Sequence, residues 1–180
     1  HDPEDIVSVF KAAGKVEFKS INIDMMFGLP GQTRVAAKDD IREVIELLPE
    51  HISYYQLTDE QNTNYFYDKS GGLPSDDEQN YIQEDCVSLL ESAGYTRYEI
   101  TSFSKKNFEC KHNLNYFRFG DYIAVGAGAH GKYRLTKNNM IRYQKSSDPN
   151  IYMKNIISNK SSHTEKLLSN SDKIFEFMLN

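Results

Sequence analysis

Apolar positions in the first half of the chain switch between two periods. Ile6, Val9, Phe10 and Ala13 recur at helical spacing. They predict a helix capped by Asp2, with Pro3 at its first position, Asp5 in its first turn and Gly14 as its stop. Residues 21–26 form a short apolar run interrupted by Asn22 and Asp24, and Gly28, Pro30 and Gly31 break it. This reads as a strand ending in a loop. Thr33 caps the next helix, whose inward stripe is Ile41, Val44, Ile45 and Leu48 and whose end is Pro49. A second strand at 52–58 completes a βαβ unit, for which parallel strands and a right-handed crossover are the norm. Residues 59–75 read as a loop through Asn62, Asn64, Gly71, Gly72 and Pro74. A helix over 77–93 then turns Tyr81, Ile82, Cys86, Leu89, Leu90 and Ala93 inward and closes at Gly94.

The second half is less regular. Residues 95–102 alternate like a strand, whereas 107–120 are polar and aromatic without a clear period. A short strand at 122–125 runs into Gly126-Ala127-Gly128-Ala129. Segments 132–135 and 140–143 flank Lys137-Asn138-Asn139 and predict a hairpin. Pro149 opens a helix through Ile157, 158–165 read as a loop, and 172–179 read as a helix. The expected fold class is α/β in the first part, with an α+β segment and a small hairpin behind it.

Composition narrows the classes of function. Lys and Arg total 21, Asp and Glu total 26, and the net charge is -5, which argues against a nucleic-acid surface. No apolar run reaches the roughly 18 residues of a membrane span. The acidic start HDPEDIVSVF lacks the basic region of a signal peptide and an initiator Met, as expected of a chain cut from something longer or of a trimmed one. Cys86 and Cys110 stand far apart, so they form neither a disulfide framework nor a metal cluster. A reduced, cytoplasmic location is the simpler expectation. Twelve Tyr and ten Phe with no Trp fit either an aromatic-lined pocket or an amphipathic core.

Four segments carry candidate chemistry. Asp24 lies in an apolar strand, and ligands of α/β folds collect beyond the carboxyl ends of strands. It either accepts hydrogen bonds from ribose hydroxyls or an amine, or caps a neighbouring loop. Gln56 and Thr58 share a face by the strand period and either line the same cavity or are ordinary strand-end groups, while His51 reads as solvated. Cys110 and His112 stand among aromatics. Two ligands are weak evidence for a structural metal, yet a single His can hold haem iron; a hydrogen-bonded structural His is the commoner case. Gly126-Ala127-Gly128-Ala129-His130-Gly131 permits close approach of a backbone, either to a ligand or to another backbone.

Three strings, INIDMMFGLPGQT, PEHISYYQLT and YEITSF…CKHNLNYFRFGDYIAVGAGAHG, together resemble successive blocks of the HemW/HemN-type radical S-adenosylmethionine (SAM) family over nearly the whole chain. His112-Asn113-Leu114-Asn115-Tyr116-Phe117 resembles the HNxxYW element of its haem-chaperone branch, with Phe in place of Trp. The resemblance implies a partial radical-SAM (βα) barrel, its last strands and helices over 1–94, followed over 95–180 by the start of a C-terminal domain. It implies SAM, a 4Fe–4S cluster and haem for the full-length family. No CxxxCxxC occurs here, so this chain cannot bind the cluster in the family manner. By resemblance, Asp24, Thr58 and His130 are SAM-contacting positions, the last two differing in residue type from the dehydrogenase branch, and His112 is the haem candidate.

The function so implied is haem binding or a haem-chaperone role in a fragment that is catalytically inactive without its cluster motif. One alternative is a fragment of an oxygen-independent coproporphyrinogen III dehydrogenase of porphyrin biosynthesis. Another is a stand-alone scaffold, which requires a closed core. The implied partners are haem or porphyrin, and an N-terminal half or another chain that supplies the cysteines. A half-barrel is expected to leave a sheet edge and an apolar face open.

Overall fold

The computed structural model describes residues 3–16, 18–58, 72–161 and 163–179. They form two compact units, divided between Glu109 and Cys110.

In the first unit, α1 (Pro3–Ala13) precedes β1 (Asn22–Phe27), α2 (Arg34–Glu46) and β2 (His51–Gln56). The strands β1 and β2 pair in parallel from Asn22 with His51 to Phe27 with Gln56, as the βαβ pattern predicts. Thr33 caps α2 by accepting from the Ala36 amide. The helix α3 (Asp76–Ser92) opens with a reciprocal capping box between Ser75 and Glu78. The short strands β3 (Thr96–Arg97) and β4 (Ser102–Ser104) follow. The sheet order is β1-β2-β4-β3, with β4 antiparallel to both of its neighbours.

The core lies between one sheet face and the helices. Ile23, Phe27, Ile52, Tyr54 and Phe103 meet Ile41, Val44, Ile82, Cys86 and Leu90, and Phe10 of α1 packs beside them. Opposite this core, β1 forms a sheet edge. An apolar groove of about 420 Å³ runs along that strand, lined by Ile6, Val9, Phe10, Ala13 and Ile23, and Ile6 and Val9 are largely exposed. Among the described residues, β1 thus has an unpaired edge and an apolar face beside it, the two features expected of a half-barrel.

The second unit begins with α4 (Lys111–Phe117). Strands β5 (His130–Arg134), β6 (Met140–Lys145) and β7 (His163–Leu167) make an antiparallel sheet in that order. The β5–β6 turn is closed by the Leu135 amide donating to Asn139 O, which is the predicted hairpin. Helix α5 (Pro149–Ile157) has the predicted bounds, because Asp148 accepts from the Asn150 and Ile151 amides and Pro149 fits its first turn. Helix α6 (Asn170–Leu179) closes the described chain.

Several expectations need correction. The alternation at 95–102 is a hairpin, since the Glu99 carboxylate gathers the Thr101 amide and the hydroxyls of Thr101 and Ser102 into a turn. That hairpin joins the first sheet, within the compact unit that runs to Glu109. Residues 122–125 make only an isolated bridge, Tyr122 with Lys132, and Ile123 and Val125 face solvent. Leu48 leaves the stripe of α2 because its φ is 58° and its side chain is exposed. Tyr81 is half-exposed under the Arg34 guanidinium, 5.0 Å from its ring centroid. Helix α4 falls inside the segment read as irregular, and strand β7 begins inside the one read as a loop. The Asp2 cap and most of the 59–75 loop lie outside the described residues.

Candidate functional site

Register decides what stands on the sheet face turned away from the core. Because side chains alternate, Asn22, Asp24 and Met26 share that face with their partners His51, Ser53 and Tyr55. Ser104 and Ser102 continue it opposite His51 and Ser53. One face of the sheet is thus apolar and packed, and the other is polar.

The polar groups are connected. His51 is only 3% exposed, which overturns the expectation that it is solvated. Its Nδ1 lies 2.6 Å from Asn22 Oδ1 and its Nε2 lies 2.6 Å from the Tyr98 hydroxyl. Ser53 Oγ donates to the same Asn22 oxygen at 3.2 Å, and Asn22 Nδ2 donates to Asp24 Oδ1 at 2.7 Å. Burial pushes the His51 pKa below its ordinary value, and the nearby Asp24 charge only partly offsets this. Burial thus favours the neutral imidazole in a site that also holds a carboxylate.

Asp24 is exposed and sits in the middle of β1, not at its carboxyl end. Its carboxylate can accept hydrogen bonds from hydroxyls or from an amine, the donor types that SAM carries, so the residue present fits that group. Thr58 is exposed just beyond the end of β2. Gln56 is on the opposite face from Asp24, hydrogen-bonded to Gln79 of α3, so it does not line a common cavity with Asp24.

His112 and His130 belong to the second unit. His112 is exposed in the first turn of α4, its ring edge-on to Tyr122 at 6.3 Å. Tyr122 lies 5.6 Å from Tyr116, which lies 6.4 Å from Phe117. A flat apolar ligand with a coordinating centre could meet an imidazole and aromatic faces here. His130 is exposed at the start of β5, paired with Gln144. Gly126 and Gly128 have φ of 100° and 72°, so these glycines shape a turn ahead of β5.

Lys132 is the buried cation of this unit. It is fully buried, its Nζ has no hydrogen-bond partner among the described residues and lies 3.4 Å from the Phe119 ring centroid, and burial lowers its pKa. Across the strand pair, Arg142 bonds Glu176 at 2.9 Å.

Among the described residues no group of three or more His, Cys, Asp or Glu side chains is placed to hold a metal ion. Cys86 is buried in the first core and Cys110 sits at the start of α4, so the two thiols do not fit an iron–sulfur cluster. Sequence reasoning missed His51, Asn22 and Tyr98 as one network. Its signal was the alternation of polar residues at 22 and 24 with those at 51 and 53, which acquires meaning only once the register is known.

The architecture matches a solved radical SAM enzyme, Escherichia coli coproporphyrinogen III oxidase (HemN), with a TM-score of 0.76 over 99% of this chain and 44% of that one, at 19% identity. The fold is therefore part of the radical SAM fold of that enzyme. No protein-family model matches the chain. The haem chaperone HemW of Haemophilus influenzae is 43% identical over 180 residues, covering 100% of this chain and 46% of that protein. HemW of Escherichia coli is 39% identical over the same share, and HemW of Bacillus subtilis is 37% identical over 134 residues. The chain spans about half the length of the curated relatives it matches. It belongs to the HemW/HemN-type radical SAM family and corresponds to the C-terminal part of its members.

Proposed function

We propose that this chain serves as the haem-handling part of a HemW-like protein, located in the cytoplasm, with His112 as the haem contact and Asp24 as a SAM contact. The observation that carries this reading is the placement of His112. It stands exposed beside Tyr122 on an aromatic helix, in a chain related along its whole length to haem chaperones at up to 43% identity. SAM, where bound, supplies radical chemistry when reduced by a cluster. The residues present supply only binding and orientation, which is why the chain by itself is proposed to be catalytically silent. Thr58 and His130 are the further SAM-side candidates, and the remaining half of the protein or another chain is the partner that would bring the thiolates. Among the described residues no helix is long and apolar enough to cross a membrane.

The open β1 edge and the groove beside α1 support a partial barrel over a self-contained scaffold. The likeness to HemN keeps a porphyrinogen dehydrogenase as the second reading. Titration of the full-length protein with haemin, followed at the Soret band, tests the proposal. A band shift lost in His112→Ala is expected. An unchanged shift in that variant overturns His112 as the haem contact.

A further inference from the structure

We infer that Tyr98, His51 and Asn22 form a one-directional hydrogen-bond chain that positions the Asp24 carboxylate, with His51 fixed as the Nδ1–H tautomer. The inference rests on the reading of Asp24 as a SAM contact only for its consequence in binding; the chain itself stands on geometry.

The direction follows from donor and acceptor chemistry. An ionised carboxylate only accepts, so Asn22 must turn its Nδ2 to Asp24, as the 2.7 Å contact has it. Asn22 Oδ1 is then the acceptor facing His51 Nδ1 at 2.6 Å, which obliges that ring nitrogen to carry the proton. In the neutral ring Nε2 is left as an acceptor, and the Tyr98 hydroxyl donates to it at 2.6 Å. Ser53 adds a second donor to Asn22 Oδ1, and a flipped amide would turn that oxygen against the Asp24 carboxylate. Burial of His51 keeps the ring neutral and in place, so one exposed aspartate is anchored through an amide to a buried imidazole. These are positioning residues: Asn22 removes one rotational freedom from Asp24, and His51 and Tyr98 remove it from Asn22.

The test uses the full-length protein with ¹⁵N-labelled histidine, the His51 signals being assigned by their loss in His51→Gln. The neutral wild-type ring should give the Nδ1–H pattern, and Asn22→Ala should abolish that preference. An Nε2–H ring in the wild type, or an Nδ1–H preference untouched by Asn22→Ala, overturns the chain. Calorimetric titration with SAM then reads positioning. Asn22→Asp retains an acceptor for His51 but repels Asp24, so it should keep the tautomer and weaken SAM binding by about tenfold, the scale of one hydrogen bond to a charged group. Unchanged affinity in Asn22→Asp, while Asp24→Asn loses affinity, overturns positioning. Unchanged affinity in Asp24→Asn overturns the SAM reading instead, and the tautomer result still decides the chain.

Discussion

The two units reach order by different means. In the first, a sheet separates an apolar face packed by helices from a polar face organised around His51. In the second, Met140 and Leu168 are the buried apolar side chains among the described residues, and Lys132 is buried with them. Its helices leave Ile151, Ile156, Ile174, Phe175 and Met178 largely exposed. Burial of area stabilises the first unit, whereas hairpin register, caps and aromatic contacts around a cation carry more of the second. Secondary structure of similar regularity can therefore rest on quite different energetics.

The strongest attack on this contrast is truncation of the first core. Ile52→Ala should cost about 2–5 kcal/mol in denaturant unfolding, because a fully buried side chain leaves a cavity between sheet and helices. Ile156→Ala on exposed α5 should stay within about 0.5 kcal/mol, and equal losses would break the comparison. Next comes Lys132→Met, which replaces an unpartnered buried ammonium with an apolar chain of similar length. Stability of the second unit should hold or rise by up to about 4 kcal/mol, and a marked loss would show that Phe119 fully compensates the cation.

Gly131→Ala should destabilise the same unit by about 1–3 kcal/mol, since an added Cβ would meet the Tyr143 ring that lies across this glycine. Thermal melts of Gly131→Ala and of the double variant with Tyr143→Ala check this, and the double variant should recover part of the loss. The smallest expected effect is on pH dependence. The folded pKa of His51 is lowered, so its contribution is fully present above the unfolded value of about 6.5 and is lost as pH falls from there through the folded value. His51→Gln should flatten the stability profile of the first unit across that window, measured by urea unfolding at several pH values.

Legibility in the sequence followed the same division. The βαβ unit and α3 were readable because their core positions repeat with one clear period per element, as in Ile41 and Val44 of α2 or Ile82 and Cys86 of α3. Asp148 and Pro149 made α5 equally plain. Helix α4 was not readable because its seven residues bury no stripe and Cys110 provides no side-chain cap. Strand β7, His163–Leu167, is an edge strand with a mostly exposed surface, so nothing apolar marks it. At the candidate site Asp24 was legible as a carboxylate out of place in an apolar run. The role of His51 was not, because a pairing across the sheet decides it, and no local pattern records that partner.

The same difference in pairing distance has a consequence in time. The β5–β6 hairpin joins Arg134 to Met140 through a short turn, and hairpins of this kind form in about 1–10 μs. The parallel pairing of Asn22 with His51 must wait for α2 and its connections to close the crossover, and non-local pairings of that kind are slow. The β5–β6 hairpin should therefore appear early in folding, and the sheet that carries the imidazole network should be completed late.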